Sequence, residues 1–77
     1  MEKEYIIELI RKEVAKEFGE DRIKKIEAFG PYEGEDLNVI ISVQGIKDRK
    51  ETHKVHSKLF DKLYDLGLDV PFSIVKA

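Results

Sequence analysis

Seventy-seven residues without a cysteine read as one domain whose core stands without disulfides or thiolate-held metal. A chain this short buries roughly 60% of its unfolded surface, so dense surface ion pairing or a partner subunit is expected to help. Charged residues make up 39% of the chain, 14 Lys and Arg against 16 Asp and Glu, for a net charge of -2. That balance lacks the strongly basic signature of a dedicated nucleic-acid binder.

The single Asn, single Gln and single Thr beside many Lys, Glu and Ile give a thermophile-like composition, in which ion-pair networks gain value and labile amides are avoided. No apolar run approaches the ~18 residues of a membrane span. Met1-Glu2-Lys3-Glu4 lacks the basic-then-apolar layout of a signal peptide. The expectation is a cytoplasmic protein with no membrane partner.

Residues 3 to 18 carry Ile6, Ile10 and Val14 at intervals of four, with Ile7, Leu9, Ala15 and Phe18 widening the stripe. That spacing predicts a helix. Glu2 and Glu4 suit its positive end and Lys16 its negative end, and Gly19 suits its exit. Ile23 to Phe29 predicts a strand stopped by Gly30-Pro31. Leu37 to Gln44 alternates cleanly: Leu37, Val39, Ile41 and Val43 on one face, Asn38, Ile40, Ser42 and Gln44 on the other. One apolar and one mixed face predict a sheet well covered on one side only.

Asp48 followed by Glu51 fits a capping box with Asp in place of Ser or Thr. A second helix is expected from there to about Leu66, with His56, Leu59, Phe60 and Leu63 on its apolar stripe and Gly67 closing it. Val70 to Val75 predicts a last strand, with Pro71 arguing for an edge position. The result is one α+β domain over residues 1–77, in the order α-β-β-α-β, with a three-stranded sheet covered by two helices.

The segment Ile26 to Val43, IEAFGPYEGEDLNVIISV, has the outline of a nucleotide-handling hairpin. A strand ends in Phe29-Gly30, a second glycine, Gly34, follows in the loop, and the next strand opens Asp36-Leu37-Asn38. Here glycine turns would bring backbone N–H groups near a phosphate. Residues 36 and 38 share a strand face, where two carboxylates would hold a divalent cation.

With these residues the chain resembles a minimal nucleotidyltransferase, the small polymerase-beta-like domain, in a degenerate form. The resemblance covers nearly the whole chain in element order and, in motif, Phe29-Gly30, Gly34, Asp36 and the run Leu66 to Val70. It implies the fold and a nucleotide or phosphate site at Gly30, Gly34, Asp36 and Asn38. The departures are specific. Pro31 stands where the family has a serine, the loop is short, Asn38 replaces the second acid, and Pro71 or Ser73 stands where the third belongs. Asp36 is the residual catalytic acid. The resemblance therefore implies a non-catalytic domain that binds a nucleotide or a protein partner, with Mg²⁺ as the only cofactor and only alongside a nucleotide. One alternative is a weak Mg²⁺-dependent nucleotidyltransferase completed by a partner chain.

The same element order also resembles the type II KH-like fold and BolA-like proteins, which implies an RNA-binding or regulatory domain. The Gly-x-x-Gly clamp of KH domains and the Arg-His pair of BolA-like proteins are absent.

Other side chains carry sharper and blander readings. Lys47, Arg49, Lys50 and Lys54, with Lys24 and Lys25, could form an anion patch. Cations at a helix start oppose its dipole, though interleaved Asp48 and Glu51 also suit a solvated mixed surface. His53 and His56 share a helix face but show no third ligand, so a packed histidine competes with a metal site. Tyr32, in the glycine loop, could stack on a base or pack over the sheet. A homodimer or a protein partner on the open sheet face or on a sheet edge is expected.

Overall fold

The computed structural model describes residues 3–30 and 37–77. Helix α1 (Lys3–Phe18) is followed by a 3-10 turn (Glu20–Arg22), strand β1 (Ile23–Phe29) and strand β2 (Asn38–Val43). Helix α2 (Arg49–Asp65) then leads to strand β3 (Phe72–Lys76). The fold is the expected α-β-β-α-β domain with a three-stranded sheet under two helices.

Strand β2 is central. It pairs with β1 antiparallel and with β3 parallel, so β1 and β3 are the two edges. The antiparallel hairpin and the parallel β2–β3 crossover suit both resemblances, so strand direction does not choose between them.

Alternation along β2 buries Val39, Ile41 and Val43 under the helices and leaves Asn38, Ile40 and Ser42 half-buried on the other face. Beside them on that face lie Lys25, Glu27 and Phe29 of β1 and Ser73 and Val75 of β3. Strand β1 keeps its apolar residues on the covered face through a bulge. Ile23 pairs with Val43 but Lys25 with Ser42, so one extra residue shifts the alternation between them. Ile23, Ile26 and Ala28 can then all turn toward the helices.

The core is one cluster. Ile6, Ile10, Val14 and Phe18 of α1 and Val55, Leu59 and Leu63 of α2 close on the covered sheet face. Helix α2 begins as its sequence indicates, with the Glu51 backbone N–H donating to the Asp48 carboxylate at 3.0 Å. It ends in a Schellman motif. Gly67, at φ 72, donates to the Tyr64 carbonyl, and Leu68 donates to the Leu63 carbonyl.

Two expectations need correction. Phe60 is not on the buried stripe of α2 but 54% exposed. The core ladder is Val55-Leu59-Leu63 at intervals of four, which rotates Phe60 off the core and over the β3 side. Strand β3 starts at Phe72 rather than Val70, because Pro71 has no N–H to donate. Its carbonyl still accepts from the Val39 N–H at 3.0 Å.

Arg22 ties the far end of the sheet to α2. Its guanidinium donates to the Gln44 and Gly45 carbonyls at 2.9 and 2.7 Å and reaches the Glu51 carboxylate at 3.3 Å. Its guanidinium carbon also lies 5.1 Å from the Phe18 ring centroid, within cation–π range.

Candidate functional site

Two regions concentrate the side chains that sequence marks as functional. The first is the hairpin end. Phe29 lies opposite Asn38 in the β1–β2 register, so Gly30, immediately after Phe29, leaves the sheet beside Asn38. Gly30 has φ 84, a conformation favoured by the absence of a Cβ. On the other side of β2, Val39 aligns with Phe72 and Ile40 with Ser73. The residues nearest Asn38 on the open face from that side are therefore Pro71, just before β3, and Ser73, both exposed. Pro31, Tyr32, Gly34 and Asp36 lie outside the described residues, so of the expected nucleotide site Gly30 and Asn38 are brought together here.

The second region is a groove between α2 and the β3 edge. Its first half holds about 710 Å³ and is lined by Arg49, Lys50, His53, Lys54 and His56 over Ile74. No carboxylate lines it among the described residues. Its second half holds about 820 Å³ and runs past Phe60, Leu63 and Tyr64 of α2 and Val70, Pro71 and Phe72. His56 belongs to both halves, so the groove is continuous. The carboxylate along it is Asp69, at the apolar end.

The expected anion patch is thus only partly assembled. Arg49, Lys50 and Lys54 converge in the groove, whereas Lys24 and Lys25 sit on β1, across the sheet from β3. Lys25 lies 3.5 Å from Glu27 there. Lys47 spends its backbone N–H on the Glu51 carboxylate at 3.2 Å and does not line the groove. Lys76, on the same face of β3 as Phe72 and Ile74 by alternation, adds a cation at the basic end.

His56 is a packed aromatic. Its ring stacks on Phe72 at 4.2 Å between centroids and 27° between planes. His53, one turn earlier, is exposed. Among the described residues no three His, Asp or Glu side chains gather as a metal site, and no helix is long and apolar enough to cross a membrane.

Phe60 and Tyr64 were not expected here. They stack on each other with centroids 6.4 Å apart, exposed at 54% and 73%. Their i, i+4 spacing was the available signal, hidden because Phe60 also fits an apolar stripe.

Comparison with family models, curated proteins and solved structures finds no match.

Proposed function

We propose that this chain is a degenerate nucleotidyltransferase-like domain that binds without transferring. Its ligand side is the end of the sheet where Gly30 and Asn38 meet, and its ligand is a nucleoside triphosphate held weakly with Mg²⁺. The observation that supports this is the register. On the open face Asn38 lies beside Gly30, and Pro71 and Ser73 neighbour Asn38 from the opposite side of β2, where the family would carry its second and third acids. Neutral groups hold a hard cation poorly, and two-metal phosphoryl transfer relies on clustered carboxylates. The Asn38 amide can still donate and accept hydrogen bonds, and Gly30 can bring backbone close to a phosphate.

The test is a titration of ¹⁵N-labelled protein with Mg²⁺ and each nucleoside triphosphate in turn, with pyrophosphate release assayed in parallel. Selective, saturating shifts of the Gly30 and Asn38 amides without pyrophosphate are expected. Unchanged amides at millimolar nucleotide would remove the nucleotide reading. Pyrophosphate release abolished by Asp36→Ala would replace it with residual transfer.

A further inference from the structure

Among the described residues, no strand pairs with the outer edge of β3, which borders the groove. The Pro71 carbonyl and the Ala77 N–H both bond to β2, at Val39 and Val43. Backbone groups alternate in direction along a strand, so those of residues 71, 73, 75 and 77 turn toward β2. The N–H and C=O groups of Phe72, Ile74 and Lys76 then turn outward, on the free edge of the sheet. Such a row is a template for one more strand.

Side chains flank that edge with opposite characters at its two ends. At the C-terminal end of β3 stand Lys76 and, across the groove, Arg49, Lys50 and Lys54. The positive end of the α2 dipole lies there as well. At the N-terminal end, Phe72 faces Phe60 and Tyr64. From Arg49 to Tyr64 the helix runs about 22 Å, the length of roughly seven extended residues.

The geometry points to an extended acidic peptide as the occupant, added as an antiparallel strand on the free edge of β3. Antiparallel pairing starts the peptide at the basic end, so its glutamates or aspartates come first and its apolar residues follow. Every second side chain would face α2: an acid opposite Lys76, an aliphatic residue opposite Ile74, an aromatic opposite Phe72. Main-chain bonds supply a general attraction, and the polarity of the groove sets direction and sequence. Single-stranded RNA could use the same cations and rings, but it has no means of matching the alternating N–H and C=O groups of a strand edge. The site lies on the covered side of the sheet, away from the open face that carries Asn38. The inference therefore stands whether or not nucleotide binds at Gly30.

The probe is the acetylated, amidated octapeptide Glu-Glu-Glu-Thr-Val-Thr-Phe-Val, titrated into ¹⁵N-labelled full-length protein. Saturable shifts and slowed hydrogen exchange at the Phe72, Ile74 and Lys76 amides are expected. A version with lysine for glutamate should bind about tenfold more weakly or not at all, as reversing charge complementarity implies. Ile74→Pro removes an outward N–H without removing a bond to β2, a placement proline tolerates on an edge strand, and should abolish binding in a folded protein. The double variant Arg49→Glu/Lys50→Glu keeps the edge and should raise the half-saturation concentration about tenfold. Failure of the peptide to bind would overturn the proposal, as would binding indifferent to both variants. Decauridylate shifting the groove where the peptide does not would assign it to RNA. Self-association through β3, seen as a dimer in sedimentation and lost in Ile74→Pro, would assign it to a second copy of the chain.

Discussion

Helix α2 carries two sets of cations, and only one set is matched. On the side facing α1, Lys58 reaches the Glu17 carboxylate at 2.7 Å and Lys62 reaches Glu13 at 3.1 Å, with Lys16 adding a second contact to Glu13 at 3.2 Å. On the side facing β3, Arg49 and Lys50 make no ion pair among the described residues. Lys54 acts only at longer range, as one of the charges that lower the Glu17 pKa. The paired set closes a seam between two helices. The unpaired set lies at the end of a helix where its charge is unfavourable and lines the half of the groove that holds no acid among the described residues. Cations that stabilise a fold come with partners inside it, and cations without such partners are available to something outside.

The comparison presumes a helix held firmly enough for both faces to keep their places. Leu59 is fully buried at the centre of α2, so Leu59→Ala should cost about 3 kcal/mol, from lost transfer energy and the cavity left behind. Urea unfolding would show it, and binding of the proposed peptide should weaken together with the seam. A cost under about 1 kcal/mol would mean that α2 is held by something other than this ladder.

Arg22 anchors the start of the same helix from outside the seam. Arg22→Met keeps the apolar stem and removes the bonds to the Gln44 and Gly45 carbonyls and to Glu51. A loss of about 1–3 kcal/mol is expected, the range for hydrogen bonds involving a charged group. Amide exchange should rise first around Gly45 and Glu51.

The seam itself should answer to acid. Burial pushes the Glu13 carboxyl up, but hydrogen bonds from Lys62 and Lys16 more than offset this and hold it below its ordinary value. A carboxylate lowered in the folded state adds stability that is present above its unfolded pKa, about 4.3. That stability is lost as pH falls through the lowered folded value. Glu13→Gln should therefore cost about 0.5–1 kcal/mol at neutral pH, the scale of a partly exposed pair. It should also flatten the fall in stability over that acid window, which urea midpoints against pH would show.

Much of this architecture is legible in the chain because its causes are local. The Ile6-Ile10-Val14 ladder, the Asp48–Glu51 cap, the alternation of β2 and Gly67 at a helix exit each act within a few residues. What escapes is what depends on an approach from elsewhere. Val55 and Phe60 are both apolar, and only the packing of α1 and the sheet decides that Val55 is core. The bulge between Ile23 and Lys25 answers to the β2 register, which β1 alone does not carry. The hairpin site is legible as Gly30 beside Asn38, while Gly34 and Asp36 lie outside the described residues. The groove was half legible: Arg49, Lys50 and Lys54 stand out as a cluster, but Lys76 and Phe72 join them only through the crossover between β2 and β3.

The smallest expected effect sharpens the comparison most. If Arg49 and Lys50 serve a ligand rather than the fold, Arg49→Ala and Lys50→Ala should leave stability within about 0.5 kcal/mol of the parent, as for exposed positions without partners. Both sit in the first turn of α2, where removing a cation relieves an unfavourable dipole interaction, so a change in sign toward higher stability is the expected direction. Lys62→Ala is the matched control, because it leaves Glu13 short of a partner and should lower the urea midpoint. Equal losses at Lys50 and Lys62 would mean that the groove cations also hold the fold, and the distinction between the two sides of α2 would fail. Unchanged or higher stability at Lys50 alongside a loss at Lys62 would leave the groove charges without a structural task, which is the condition a binding surface requires.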